Sequence, residues 1–190
     1  MTIRELYTKY NLMPQLIAHQ LRVGAIVKLI GGDRDAILTA LVHDMGNMAK
    51  FSNLDKHWSK EQEKFRAKYG KDAHIATSMI LRESGLDKLH DYIQIEAKLF
   101  EEIMKQSDLK LICRPAVLTL YADCRVAYDG VVSLNDRIVD LETRYNEKRT
   151  EKIWGPKLEE YVQSLTEIDV TAITEDMVEP LFDELLSYEL

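Results

Sequence analysis

Apolar residues recur at helical spacing through most of this chain, and that periodicity limits the fold more than any other feature. The segment from Pro14 to Ile30 carries a broad apolar face, and the segment from Ser133 to Tyr145 carries a narrower stripe. No run of alternating β-branched residues is long enough to form a sheet. The sequence therefore predicts an all-α fold.

Glycine, proline and capping residues place the predicted helix boundaries. Pro14 suits the first turn of a central helix, Asp33 is expected to cap the next helix, and Ser133 is expected to cap a later one. Two loops are expected, one over residues 46–59 and one around Trp154, Gly155 and Pro156. The predicted helices cover residues 2–10, 14–30, 33–43, 59–69, 72–85, 86–106, 115–129, 133–145, 157–167 and 174–188.

Composition narrows the class of protein. The chain has 190 residues with an apolar fraction of 46%, which fits one globular domain. Its 25 basic and 32 acidic residues give a net charge of −7, which argues against binding to duplex DNA or to a membrane surface. Two cysteines indicate neither a disulfide framework nor a Cys-rich zinc site, and we identify no signal peptide or transmembrane segment. We therefore expect a cytoplasmic protein.

The apolar run over residues 36–42 is followed directly by a histidine and an aspartate, His43 and Asp44. His43 and Asp44 point about 100° apart on a helix, so the imidazole and the carboxylate can close on one cation between them. Gly46 is expected to end this helix with a positive φ. An arbitrary His-Asp pair is more often a plain helix end, with a histidine near the helix dipole and a solvated aspartate.

Three more polar residues lie where helical periodicity would place an apolar side chain. They are His19, Asp123 and Glu96. An unpaired carboxylate on a buried face is costly, so each of these residues needs a partner. Simple partners exist: His19 can be a hydrogen-bonded core residue, Asp123 can pair with Arg125 or Arg22, and Glu96 can reach a surface pocket.

The histidines and aspartates are more informative together than singly. His19, His43, Asp44 and Asp123 supply two imidazoles and two carboxylates. Such a set suits a divalent transition metal, namely Mn²⁺, Fe²⁺, Co²⁺, Ni²⁺ or Zn²⁺. Four protein ligands also leave coordination positions open for water and substrate.

These residues resemble the motifs of the HD-domain superfamily of metal-dependent phosphohydrolases. His19 stands in His-Gln-Leu-Arg-Val, His43 and Asp44 stand in Leu-Val-His-Asp-Met-Gly, and Asp123 stands in Tyr-Ala-Asp-Cys-Arg-Val. The resemblance covers about residues 14–145, and it implies an HD-domain helical bundle in which these four residues bind one metal ion. Residues 1–190 would then form a single HD-like domain, with C-terminal helices over about 157–188 as an extension.

The resemblance also suggests a second ion. His74 matches a further metal-ligand position of some relatives, and Glu96 falls where those relatives have a histidine. A carboxylate can ligate and would favour harder ions, so one or two ions are expected. Asn47 stands where many relatives have a lysine, and Lys50 could replace that charge.

The activity implied by the resemblance is hydrolysis of a small phosphoester, a nucleotide among them. A metal ion lowers the pKa of a bound water and polarises a phosphoryl oxygen, and Asp44 would orient or deprotonate that water. Arg22 is the first candidate to hold phosphate oxygens, followed by Lys50 and Arg125. Arg22 could instead brace a ligand carboxylate.

Two other functions remain open from the sequence. Some relatives in this superfamily are di-iron oxygenases, and a non-catalytic module that binds metal or nucleotide would keep the same ligands. The acidic, amphipathic tail over about 157–190 is expected either to pack on the bundle or to form the surface of a homodimer.

Overall fold

The protein is described here by a computed structural model that covers residues 1–52, 54–96 and 113–190. These ranges are mostly helical, as the apolar periodicity predicted. The helices are α1 (Ile3–Lys9), α2 (Pro14–Leu29), α3 (Arg34–Val42), α4 (Lys56–Tyr69), α5 (Ala73–Glu83), α6 (Asp87–Glu96), α7 (Arg114–Asp123), α8 (Leu134–Tyr145), α9 (Glu151–Gln163), α10 (Glu175–Val178) and α11 (Phe182–Leu186). Short 3₁₀ turns cover Asn47–Ala49, Val170–Ala172 and Glu179–Leu181.

The predicted caps form as expected. Asp33 accepts a hydrogen bond from the backbone of Ala36 at the start of α3, and Ser133 accepts one from Asp136 at the start of α8. Pro14 occupies the first turn of α2, where its missing N–H is not needed. Local sequence therefore decides where these helices begin.

Helices α2, α3 and α7 pack against one another and form the centre of the molecule. Helix α6 packs on both α3 and α7, and α5 packs on α6. Leu41 and Ile26 belong to the continuous core between these helices, and both are fully buried. Tyr7 reaches in from α1, and its hydroxyl donates a 2.6 Å hydrogen bond to the carbonyl of Leu41 at the end of α3.

The C-terminal segment packs on the bundle. Helices α10 and α11 contact α2, and the last residues meet the N-terminus, where Ile3 donates a 2.9 Å backbone hydrogen bond to Tyr188. Arg125 is 1% exposed and ties the same segment to the centre of the fold. Its guanidinium donates to the carbonyls of Val132, Val170 and Ile173.

Two expectations about helix boundaries need correction, and a third extends beyond the described residues. Helix α4 begins at Lys56 rather than at Ser59, because Asp55 caps it by accepting from Trp58. The helix expected over 115–129 ends at Asp123, and a short hairpin follows, with β1 (Val126–Ala127) paired to β2 (Gly130–Val131). Helix α6 is described to Glu96, and the rest of its predicted length, to 106, lies outside the described residues.

Another correction concerns the loop expected around Trp154, Gly155 and Pro156. These residues lie inside α9. Trp154 and Leu158 are buried in the core, and the Cα of Gly155 approaches Leu134 so closely that a Cβ there would lie 3.1 Å from that side chain. Burial of this apolar face outweighs the backbone hydrogen bond that Pro156 cannot make.

None of the helices in the described ranges combines the length and the apolar character needed to cross a membrane.

Candidate metal centre

The structure brings together the four ligands predicted from the sequence, one or two from each central helix. His19 lies in the middle of α2, His43 and Asp44 follow the last residue of α3, and Asp123 is the last residue of α7. Because these three helices pack directly on one another, residues more than 100 positions apart in the chain meet at one point. One ligand atom from each of the four lies within 4.8 Å of all the others.

The separations between these atoms match the spacing of ligands around one ion. His19 Nε2 lies 3.1 Å from Asp123 Oδ1 and 3.6 Å from Asp44 Oδ2, and His43 Nε2 lies 3.7 Å and 3.6 Å from the same two oxygens. Ligand atoms that are each about 2.1 Å from a metal ion lie about 3.0 Å apart in adjacent octahedral positions and about 3.4 Å apart in a tetrahedron. The four side chains could therefore hold a single metal ion.

The tautomer of His43 also suits metal binding. Its Nδ1 lies 2.7 Å from the carbonyl of Ala40, so Nδ1 carries the proton of the neutral ring, and Nε2 offers its lone pair once a metal ion displaces the second proton. The Nε2 atoms of His19 and His43 are both buried, and neither makes a well-directed hydrogen bond, although Asp123 Oδ1 lies 3.1 Å from that of His19. Buried polar atoms without partners are rare and unfavourable, and a cation between these nitrogens and the two carboxylates would satisfy both.

The imidazoles and carboxylates of the cluster shift one another's pKa. Burial by itself would lower the pKa of His43, but the carboxylates of Asp44 and Asp123 outweigh it and raise that pKa to about 10. Burial would likewise raise the pKa of Asp123, but the imidazoles of His19 and His43 hold it well below its usual range. The cluster therefore favours a positive charge at its centre, which a proton or a metal ion can supply.

The turn after Asp44 is fixed by two contacts. Asn47 donates from its side-chain amide to Asp44 Oδ2. The backbone N–H of Gly46 donates a 2.8 Å hydrogen bond to Thr77 Oγ1 on α5. The positive φ expected at Gly46 is wrong, because its φ is −84°. A glycine is needed there for a different reason: an added Cβ would lie 2.1 Å from the carbonyl oxygen of Ala73.

The cluster opens into a cavity of about 1320 Å³. Lys50 lines this cavity, as does Asn47. His74 and Glu96, the two residues predicted for a second ion, line it as well, but neither belongs to the group of atoms that lie within 4.8 Å of one another. Burial raises the pKa of Glu96 to about 7 against the opposing charge of His43. A second ion at His74 and Glu96 stays a prediction.

Two of the candidate phosphate-binding residues are engaged elsewhere. Arg22 Nε donates a 2.7 Å hydrogen bond to Glu175 Oε1, whose other oxygen accepts from the backbone of Val131. Arg125 is occupied by the backbone carbonyls of the C-terminal segment. Neither arginine lines the cavity. Of the three candidates Arg22, Lys50 and Arg125, Lys50 lines it.

The structure adds cationic and aromatic residues that the sequence analysis did not single out. Arg137, Arg144 and Arg149 line the cavity, together with Trp154 and Tyr128. Arg137 and Arg144 are one heptad apart on α8, so they lie on the same helical face as Leu141. That spacing is the signal that could have revealed them, because two arginines on an apolar stripe are unusual.

Comparison of the chain with known protein families, with curated proteins and with solved structures finds no match.

Proposed function

We propose that this protein is a metal-dependent phosphohydrolase that acts on a nucleotide or another small phosphoester. The observation that carries the proposal is the cluster of His19, His43, Asp44 and Asp123, whose unpartnered imidazole nitrogens face two carboxylates at the floor of a large cavity. The order and spacing of these residues, which resemble HD-domain motifs, support it. The resemblance is to a superfamily with several chemistries, so activity has to be measured.

The chemistry of the ligands supports a divalent transition metal. His19, His43, Asp44 and Asp123 would hold it, and Mn²⁺, Fe²⁺, Co²⁺, Ni²⁺ and Zn²⁺ all accept two imidazoles with two carboxylates. When bound, such an ion supplies a Lewis acid for a phosphoryl oxygen and lowers the pKa of a coordinated water. His74 and Glu96 would serve a second ion in the same cavity.

The protein groups around the cluster have separate roles in this proposal. The backbone of Ala40 holds the ring of His43 in the ligating tautomer, and the amide of Asn47 holds the carboxylate of Asp44 in place. Asp44 would orient the attacking water and accept its proton. Lys50 lines the cavity and offers a positive charge to the phosphate.

The cavity fits a ligand of nucleotide size. Its volume of about 1320 Å³ exceeds the range of about 300 to 1000 Å³ that drug-sized ligands occupy. Tyr128, which is 74% exposed, lies on its lining and offers a ring face on which a base could stack. We also propose the cytoplasm as the compartment, in keeping with the two free cysteines, Cys113 and Cys124.

The proposal is tested by metal analysis together with phosphatase assays. The wild type, Asp44→Ala and Asp123→Ala are purified, their metal content is measured, and phosphate release from a panel of phosphomonoesters and phosphodiesters is followed with Mn²⁺ added. The matched control is Asp183→Ala, because that carboxylate is exposed, pairs with Arg4 at the surface and does not line the cavity. We expect Asp44→Ala and Asp123→Ala to lose stoichiometric metal and activity, and the control to keep both.

Two results would contradict the proposal. A wild-type protein that holds no stoichiometric metal after loading would show that the cluster is not a metal site. A metal-loaded wild type that hydrolyses no ester would instead favour a binding module, in which ligand raises the melting temperature without turnover.

A further inference from the structure

One wall of the cavity is built by α8 and the first turn of α9, and it carries polar groups without partners. The side chain of Arg137 is 14% exposed, and its Nη1 lies 2.8 Å from Asp140 Oδ2. Its Nε is buried and has no hydrogen-bond partner. A guanidinium N–H that is removed from water without an acceptor is unfavourable, so an acceptor that reached this atom would stabilise it.

Trp154 presents a second donor of the same kind. It is 3% exposed, and its Nε1 is likewise buried without a partner. Among the residues that the structure describes outside the four candidate metal ligands, Arg137 and Trp154 are the two whose unpartnered buried atoms are N–H donors, and both line the cavity that contains the metal cluster. Two such donors on one cavity call for an acceptor, and an anion with several oxygens is the best match.

The charge on this wall also favours the binding of an anion. Asp140 accepts from both Arg137 and Arg144, so one carboxylate serves two guanidinium groups and one positive charge remains. Arg149, in contrast, is matched by Glu151. Arg137 lies close enough to Cys124, the residue directly after Asp123, for its positive charge to lower the pKa of that thiol against the larger effect of burial, which relates this wall to the metal cluster.

We propose that Arg137 Nε and Trp154 Nε1 form an oxyanion subsite that binds a phosphate oxygen of a ligand held at the metal cluster, with Arg144 adding positive charge. The identity of the anion as a phosphate rests on the proposed function. The subsite replaces Arg22 and Arg125, whose hydrogen bonds are used within the fold.

Binding of inorganic phosphate to the Mn²⁺-loaded protein tests the subsite without relying on turnover. Isothermal titration calorimetry is carried out on the wild type and on Arg137→Gln, Arg137→Lys and Trp154→Phe. We expect Arg137→Gln to weaken phosphate binding by about tenfold or more, and Trp154→Phe to weaken it by about threefold to tenfold, because a charge-assisted hydrogen bond contributes more than a neutral one. Arg137→Lys keeps the charge but lacks the Nε donor, so it is also expected to bind more weakly than the wild type.

The matched control is Arg82→Gln, which removes the same charge from an exposed position on α5 outside the cavity. It is expected to bind phosphate as the wild type does. Metal content and thermal unfolding are measured for every variant, so that a loss of metal or of folding is recognised. If Trp154→Phe does not fold, the two Arg137 variants still decide the question.

The outcomes separate this inference from the proposed function. Phosphate binding that is absent from the wild type, or is equally tight in Arg137→Gln and Arg82→Gln, would overturn the subsite even if the protein hydrolyses phosphoesters. Phosphate binding that depends on Arg137 would support the subsite even if no ester is hydrolysed, and the proposed hydrolase alone would then be wrong.

Discussion

Replacing Gly46 with alanine should destabilise the protein and disturb the metal cluster. A Cβ on Gly46 would lie 2.1 Å from the carbonyl oxygen of Ala73 and 2.6 Å from the backbone nitrogen of Thr77. Both neighbours are backbone atoms of α5, so a side-chain rotation cannot relieve the overlap. An ordinary contact of 3.4 Å would require the turn to move away from α5 by about 1.3 Å.

The magnitude follows from two contributions. Overpacking of this kind costs about 1 to 3 kcal/mol, and the 2.8 Å hydrogen bond from the Gly46 N–H to Thr77 Oγ1 would be stretched or lost, which costs about 1 kcal/mol more. We therefore expect Gly46→Ala to lower the free energy of unfolding by about 2 to 4 kcal/mol. Because Asp44 lies two residues before the displaced turn, affinity for Mn²⁺ should fall as well.

The assay is urea unfolding of the metal-free protein in the presence of a chelator, so that metal binding does not contribute to stability. Gly46→Asn provides the decisive comparison. Asparagine tolerates a positive φ better than alanine does, but it is larger, so steric overlap predicts that Gly46→Asn is less stable than Gly46→Ala. Gly85, with a φ of 71° and no atom within 4 Å of an added Cβ, is the matched control, where asparagine should be the better tolerated of the two.

Two results would refute this reasoning about Gly46. One is an unfolding free energy of Gly46→Ala within about 1 kcal/mol of the wild type, which is the range of an ordinary surface substitution. The other is a Gly46→Asn variant that is more stable than Gly46→Ala, since that order would indicate a left-handed backbone rather than a close approach to α5.

Two further substitutions test the packing around the site. Tyr7→Phe removes the 2.6 Å hydrogen bond to Leu41 and should cost about 1 kcal/mol at pH 7. Burial raises the pKa of Tyr7 well above its ordinary value, so its contribution is complete below the unfolded-state pKa of about 10 and is lost as pH rises further. Unfolding free energies measured from pH 7 to 11 should therefore fall less steeply in Tyr7→Phe, and an identical slope would contradict this. Arg125→Lys should lower the unfolding free energy by about 3 kcal/mol or more, because one ammonium cannot reach the carbonyls of Val132, Val170 and Ile173 together. Calorimetry should show unchanged phosphate binding by the folded Arg125→Lys protein, whereas weaker binding would restore Arg125 as a phosphate-binding candidate.

The four candidate metal ligands could be found in the sequence because each departs from a local rule. His19 and Asp123 interrupt apolar helical faces, and the His43-Asp44 pair ends an apolar run. A polar residue on a buried face must have a partner, so local periodicity is enough to mark it. The structure then shows that the partners are one another.

Helix boundaries were predictable where a capping side chain acts on its own helix. Asp33, Asp72 and Ser133 each accept a backbone hydrogen bond within three residues, so the information lies in the sequence window itself. The helix through Trp154, Gly155 and Pro156 was missed because its stability comes from packing against α8, which outweighs the poor helix propensity of glycine and proline.

By itself, the sequence determined the all-α class, the starts of the helices capped by Asp33, Asp72 and Ser133, and the ligand types of the candidate metal centre, because these depend on interactions within a few residues. Only the tertiary structure decided which positively charged side chains are available to bind a phosphate at that centre. Arg22 is bound to Glu175, 153 positions away, whereas Arg137 lines the cavity with a free donor. Such pairings depend on how distant helices pack, and a chain of the same local pattern could pack its arginines in more than one way.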